Sequence, residues 1–392
     1  MDRINIGIVG TGFIADLHAL TYRKLNGAKF QLLGAASRNP ANAAAFAKKW
    51  SMAKAYPSFE AMLKDSEIHA VDICAPNDLH RDMIIAAAQA GKHIICEKPL
   101  SGAFGEGKST DTPGLLPKRE LLEEALANTR ACVNAVKEHG VGFGYAENFV
   151  YAPPLVKAKR LLARAKGTLM DIRAEESHSG SHAEYAKQWK RAGGGSLIRL
   201  GAHPVGAALH LKAWEGGLRS GRPIRPKSVT AEVGNHTRIP SFESEEKKWI
   251  KTGWVDVEDW SCAIITFEDG SRATIHSSDG VIGGVRNNLT LYASNAVLQI
   301  NINPSDTLKI YAPEQGIFGD KYIQEKLETN GGWNFPAPDE EWICGYDGEL
   351  QDFIDCFREK REPESNLTLA EDTMKVIYAG YVSAEEGRRV SL

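Results

Sequence analysis

No stretch of this chain stays apolar for the ~20 residues that a bilayer-spanning helix needs, so a helical membrane span is excluded. Cysteine is scarce and scattered. Cys74, Cys96, Cys132, Cys262, Cys344 and Cys356 form no CxxC pair and no close Cys/His grouping, which argues against a zinc site or a disulfide frame. They read as reduced thiols of a cytoplasmic protein. An excess of one charge is missing too: 47 Lys and Arg against 50 Asp and Glu leave a net charge of -3. Nothing there is a footprint for nucleic acid or an anionic membrane. Met1 runs almost at once into a strand-like segment, so no signal peptide is expected. What remains is an ordinary globular composition, 43% hydrophobic and 25% charged, over 392 residues. That length exceeds what one core usually holds and predicts two domains.

The first part alternates strand-like and helix-like segments. INIGIV (4–9), with β-branched residues, FQLLGAAS (30–37), AVDICAP (70–76), HIICEK (93–98) and VGFGYAE (141–147) are short strand-like runs. Between them lie DLHALTYRKL, PANAAAFAKKW, SFEAMLKDS, HRDMIIAAAQAG and a long helix over about 118–139, all with helical apolar spacing. Repeated βα units predict an α/β Rossmann domain with a doubly wound parallel sheet, taken as residues 1–145. Past residue 167 the pattern changes to TLMDIRAEE, SVTAEVGNHT, WSCAIITFED, RATIHSSD, NLTLYAS, VLQININ and TLKIYAP, with turn pairs that suit hairpins. Residues 146–392 are therefore read as an α+β domain with a large, mostly antiparallel open sheet. Two helices close it, near 346–360 and 368–387.

Gly10, Gly12 and Ala15 stand between the first strand and first helix as G-x-G-x-x-A, with Phe13 and Ile14 inside the motif. The first glycine permits the tight turn. The second lets the backbone approach a pyrophosphate seated on the helix N-terminus. The end of the second strand then bears on the cofactor. It reads AASRN, where Ser37 and Arg38 offer a hydroxyl and a guanidinium but no carboxylate. That pair suits a 2'-phosphate and favours NADP over NAD.

The segments GIVGTGFIADLHA, APNDLH, AGKHIICEKPL, GGGSLIRLGAH, VEDWSCAIITFEDGS and YVSAEEGRRVSL occur in the order seen in the Gfo/Idh/MocA oxidoreductases, the family of glucose–fructose oxidoreductase and inositol dehydrogenase. The chain resembles that family over nearly its whole length. The resemblance implies an NAD(P)-dependent oxidoreductase that moves a hydride between nicotinamide and a secondary hydroxyl of a sugar, cyclitol or sugar acid. It implies that Lys98, after Glu97 and before Pro99, bonds the reacting hydroxyl and the nicotinamide ribose. It places Pro76, Asn77 and His80 under the nicotinamide half of the cofactor, with helix capping as a second role for His80. It makes His203 the substrate-side proton carrier, and a homodimer or homotetramer the expected assembly through the open sheet face. Tyr145, Glu147, Asn148 and Tyr151 fall where the two domains join and are expected to line the cleft. His178, His182 and His203 lack a nearby carboxylate, so no metal is expected. His178 and His182 are read as contacts to substrate hydroxyls or as loop structure.

Two departures from the family pattern stand out. Residues 101–117, SGAFGEGKSTDTPGLLP, form an insertion after EKPL, either a lid beside Lys98 or a surface excursion. The other is Arg199, four residues before His203, where relatives carry Asp. In a continuous helix the two would share a face, although Pro204 disfavours helix at His203. An arginine there lowers the histidine pKa and fits a carboxylate-bearing substrate. The alternative is an internal partner among Glu147, Glu175 and Glu176. Two other functions fit the same fold: a glycosidase that oxidises its sugar transiently, and a non-catalytic NAD(P)-binding regulator of a sugar pathway.

Overall fold

The structure, a computed structural model, describes residues 3–27, 29–303 and 308–392. Met1, and Thr307 at the head of TLKIYAP, lie outside the described residues. The first half builds six parallel strands: β1 (Ile4–Val9), β2 (Phe30–Ala36), β3 (Lys54–Tyr56), β4 (Ala70–Ile73), β5 (His93–Glu97) and β6 (Phe143–Ala146). Their order in the sheet is β3-β2-β1-β4-β5-β6. The order reverses between β1 and β4, and in doubly wound sheets a ligand crevice opens beyond the strand ends at that point. Burial on both faces accounts for the continuous apolar runs. Ile4, Ile6, Ile8 and Ile94 are fully buried. The strand β3, only three residues long, carries no pattern that the sequence reading detected.

The second sheet has seven strands: β7 (Leu169–Ser177), β8 (Pro226–Gly234), β9 (Trp260–Phe267), β10 (Arg272–Ser278), β11 (Arg286–Ala293), β12 (Ala296–Asn301) and, last in the chain, β15 (Val390–Ser391). A separate hairpin pairs β13 (Ile310–Ala312) with β14 (Gly332–Asn334). The large sheet runs β12-β11-β7-β10-β9-β8-β15. All its pairings are antiparallel except β7 with β10. Side chains alternate as a one-sided sheet requires. Ile172, Ala263, Ile265, Ala273, Ile275, Leu289 and Leu291 point inward, and Ile264, between Ala263 and Ile265, points outward. The inner face is covered by the helices Ala202–Ser220 and Leu367–Glu386.

The expected division after residue 145 falls at the end of β6. The two closing helices, Tyr346–Glu359 and Leu367–Glu386, nevertheless return to the first sheet. Phe353 lies against β6 so closely that a Cβ on Gly144 would meet its ring at 2.6 Å. The final helix packs along both the helix Lys118–His139 and β8. The insertion 101–117 is pinned at both ends. The Ala103 amide donates to the Tyr378 hydroxyl at 2.7 Å, the Trp189 indole to the Ala103 carbonyl at 3.0 Å, and the Gly114 amide to Asp256 at 2.9 Å. It is thus a buttress between the two halves with an exposed tip around 106–111, which a free lid would not be.

Candidate functional site

The crevice over β1 is built for a dinucleotide. Gly10 has φ +106°, and a Cβ there would lie 2.2 Å from the Cys74 carbonyl oxygen, so only glycine fits the turn. Gly12 is the opposite case: no protein atom lies within 4 Å of where its Cβ would be. It is the N-cap residue of the helix Phe13–Lys24, whose first N–H groups have no side-chain cap. Ala15 is fully buried against the sheet, and Phe13 and Ile14 form the first turn. Ser37 and the exposed Arg38 follow β2 at the rim, and the Thr11 hydroxyl donates to Ser37 at 3.4 Å. These residues fit NAD(P): Gly10–Ala15 could hold the pyrophosphate, and Ser37 and Arg38 the adenosine ribose.

Lys98 leaves the end of β5, and its Nζ donates to the carbonyl of Arg199 at 2.9 Å. That bond joins the first sheet to the GGG segment. His80 does not reach the crevice. It is fully buried, with Nδ1 2.8 Å from the Pro99 carbonyl and Nε2 2.9 Å from that of Ala75. Burial keeps its pKa below the usual range, and a neutral ring donates only one of these bonds. It holds the Lys98–Pro99 turn in place. Asn77 donates to the Ala192 carbonyl at 2.9 Å, and its neighbour Asp78 pairs with Arg191 at 2.8 Å. Asn77 and Asp78 therefore clamp one domain to the other. Glu97 accepts from the Lys98 amide at 3.1 Å, and its other oxygen lies 3.0 Å from His18 Nε2. His18 is sandwiched, its Nδ1 2.9 Å from Asp72. Burial presses this imidazole toward neutrality, but Asp72 and Cys74 together outweigh it and hold the His18 pKa well above its usual value. His18 and Asp72 escaped the sequence reading, because partners 54 and 79 residues away leave no local signal.

The GGG stretch is shaped by Glu258. The amides of Gly195 and Leu197 donate to its two carboxylate oxygens at 3.0 and 2.9 Å, and the Tyr381 hydroxyl donates at 2.8 Å. Burial pushes the Glu258 carboxyl up to about 7. The helix that starts there, Ser196–Arg199, stops at once, and a second begins at Ala202. The regular helix is interrupted at Leu200–Gly201, so the i, i+4 argument does not carry across it; His203 itself lies in the second helix, although Pro204 follows it. Arg199 turns to Asp279, with which its guanidinium forms a buried ion pair, and lies 5.0 Å over the ring of Trp254. Its partner is therefore none of Glu147, Glu175 and Glu176. Asp279 follows β10, 80 residues away, and only the folding of that strand beside β7 brings it there.

His203 is buried. Its Nδ1 lies 2.8 Å from Oε1 of Glu147, and its ring stacks on Phe149 at 4.8 Å and 14°. Its Nε2 is 4.0 Å from Oε2 of Glu176, an oxygen without a hydrogen-bond partner. Burial first, and then the Lys98 charge, lower the His203 pKa to about 4, so the ring is neutral at physiological pH. The lowering comes from those sources and not from Arg199. His178 is buried, and its Nδ1 accepts from the Gly180 amide at 2.9 Å, which leaves its proton on Nε2. His182 is exposed. Among the described residues only His18, Asp72 and Cys74 lie close enough together to hold a metal, and they are hydrogen-bonded to one another. Tyr145, Asn148 and Tyr151 are buried and tied to the chain's end: Tyr145 by its carbonyl to Ser365, Asn148 to the Cys344 carbonyl, Tyr151 to Asp352. Of the four junction residues, Glu147 is the one bonded to His203.

Residues 4–111 match the family model described as the GFO_IDH_MocA oxidoreductase family, NAD-binding Rossmann fold, and residues 155–299 match that of the GFO/IDH/MocA C-terminal domain. Levoglucosan dehydrogenase of Pseudarthrobacter phenanthrenivorans is 26% identical over 335 residues, 80% of this chain and 78% of the relative. D-xylose 1-dehydrogenase (NADP(+)) 2 of Haloferax volcanii is 28% identical over 203 residues, 52% of this chain and 55% of the relative. The chain likewise spans about half the length of several other curated relatives. Among solved structures, GenD2 from gentamicin A biosynthesis, in complex with NAD, superposes with a TM-score of 0.79 at 22% identity, covering 100% of this chain and 97% of that one.

Proposed function

The chain belongs to the Gfo/Idh/MocA oxidoreductase family, and on that premise we propose that it oxidises a secondary hydroxyl of a neutral sugar or cyclitol, or reduces the matching ketone. The observation that carries this reading is the bond from Lys98 Nζ to the Arg199 carbonyl, which brings the ammonium to the segment bearing His203. Bound NAD(P) takes up or supplies the hydride. The chain's own residues manage the proton and the charge. Lys98 holds the reacting oxygen and stabilises negative charge as it develops there. His203, neutral at working pH, takes the hydroxyl proton at Nε2 as the O–H electron pair becomes the second bond of the carbonyl. Glu176, its Oε2 4.0 Å from that nitrogen and otherwise unpaired, is placed to accept a neighbouring hydroxyl.

A sugar acid is disfavoured. The charge of Arg199 is already met by Asp279, while Glu147 and Glu176 add carboxyl groups beside the reacting position. NADP is the favoured cofactor, since Ser37 and Arg38 end β2 without a carboxylate.

The test is absorbance at 340 nm with a panel of monosaccharides, anhydrosugars, cyclitols and uronates, each with NADP and with NAD. Oxidation of a neutral member, faster with NADP, is expected. Lys98→Ala should lower kcat by about 100-fold or more while calorimetric cofactor binding is largely kept. A protein that binds cofactor but oxidises no member of the panel would overturn the reading, and so would a Lys98→Ala variant with wild-type turnover.

A further inference from the structure

We propose that Glu147 positions His203 and selects which of its ring nitrogens carries the proton. The proposal rests on the reading of His203 as proton carrier. Three independent features of the fold support it. The first is the bond itself: Oε1 lies 2.8 Å from Nδ1, with both groups buried and Phe149 stacked flat on the ring to fix its plane. The second is Gly206, one turn beyond His203. A Cβ there would lie 2.8 Å from Glu147 Cγ and 3.1 Å from its Oε2, so the helix carries glycine where the carboxyl group passes. The third is Arg199, whose side chain pairs with Asp279 and leaves the Nδ1 side of the ring to Glu147.

The consequence is chemical. An ionised Glu147 accepts the Nδ1 proton and leaves the Nε2 lone pair free to take a proton from an alcohol. A protonated Glu147 donates its O–H to Nδ1, so the ring proton sits on Nε2; as that proton passes to a carbonyl oxygen, Nδ1 takes the Glu147 proton and the carboxyl ionises. Ionisation of one buried carboxyl thus favours oxidation, and its protonation favours reduction. Several groups set the balance. Burial raises the Glu147 carboxyl well above the ordinary range, and Lys98 opposes this. Glu97 on β5 adds negative charge, and Glu176 on β7, Glu349 from the helix Tyr346–Glu359 and Tyr145 on β6 stand beside it, the two carboxyls themselves raised by burial. The pair titrates as a unit, so its apparent pKa belongs to both partners. Oxidation strengthens as pH rises through that value, and reduction strengthens below it.

The variant to make is Glu147→Gln, which keeps shape and hydrogen bonding but cannot ionise. Two readouts apply. In kinetics, kcat for oxidation should fall about 100-fold with KM within about threefold, and the acid limb of the pH profile should move or vanish. In ¹⁵N spectra of histidine-labelled protein without cofactor, assigned with His203→Asn, wild-type His203 should change tautomer with pH and the Gln variant should not. Unchanged turnover with an unmoved acid limb would overturn the proposal. If the wild type oxidises no sugar, the proposed function fails on its own. The spectra then decide the pairing, and His203 signals indifferent to Glu147→Gln would overturn it.

Discussion

Gly10 and Gly12 are two residues apart and look alike in a motif, yet the structure separates their roles. Gly10 is required by the protein: its φ is positive and a Cβ would run into a backbone carbonyl of the β4 end. A Cβ on Gly12 would meet nothing among the described residues beyond its chain neighbours, so the fold does not itself require glycine there, and we propose that its smallness serves a ligand. Gly10→Val should therefore destabilise the fold by several kcal/mol, since both strain and backbone overlap oppose it. Gly12→Val should melt within a few degrees of wild type yet lose NADP and NAD binding. Thermal unfolding beside calorimetric titration of each variant checks both halves. A Gly12→Val protein that binds cofactor normally would place the pyrophosphate elsewhere.

At the scale of elements, the break between the helices Ser196–Arg199 and Ala202–Ser220 decides the chemistry of position 199. A straight helix would have aimed Arg199 along the His203 face. The break instead turns it toward the end of β10, where it neutralises Asp279. Burial raises the Asp279 carboxyl, and Arg199 draws it back down. Arg199→Met leaves that carboxylate buried without its ion-pair partner, with only the more distant Lys326 charge to offset it, and should cost about 3–5 kcal/mol at neutral pH. The sign of the pH dependence follows. Without its cation Asp279 is ionised at a cost, so the deficit against wild type grows as pH rises and shrinks as Asp279 is protonated. Urea midpoints of both proteins at several pH values measure it, and a deficit that does not change with pH would contradict the pairing. A double variant, Arg199→Met with Asp279→Asn, should regain part of the loss. Any remaining activity of Arg199→Met should fall alike on neutral and acidic sugars.

Taken as a whole molecule, the protein has one large sheet face that its own helices leave bare. On it Met170, Ile264 and Val297 are 51%, 44% and 60% exposed. They stand among Thr and charged side chains, with Arg173 stacked over Tyr292. An apolar patch rimmed by polar groups on a flat sheet suits a second sheet of the same kind, as the family resemblance implies. We expect a dimer or tetramer in solution, and Ile264→Glu should shift it toward monomer without unfolding the chain. Sedimentation velocity of the two proteins tests this; a monomeric wild type at micromolar concentration would remove the expectation.

The sequence by itself determined what local patterns encode. Parallel strands buried on both faces must be apolar throughout, and a one-sided sheet must alternate, so both sheets were legible. So was the glycine motif, because its flanking strand and helix are contiguous in the chain. The helix Lys118–His139 matches its predicted span, since 22 residues carry ample periodicity. Short elements such as β3 and β14, three residues each, hold too few residues for any period to show. Lys98 and His203 were found through motif resemblance, and their roles remain proposals. Only the tertiary structure decided which carboxyl each cation or imidazole meets. Glu147 reaches His203 across 56 positions, Asp279 reaches Arg199 across 80, and Glu97 reaches His18 across 79. Such pairs form because burial makes an unpaired charge costly, and burial is a property of packed layers that no local stretch of sequence contains.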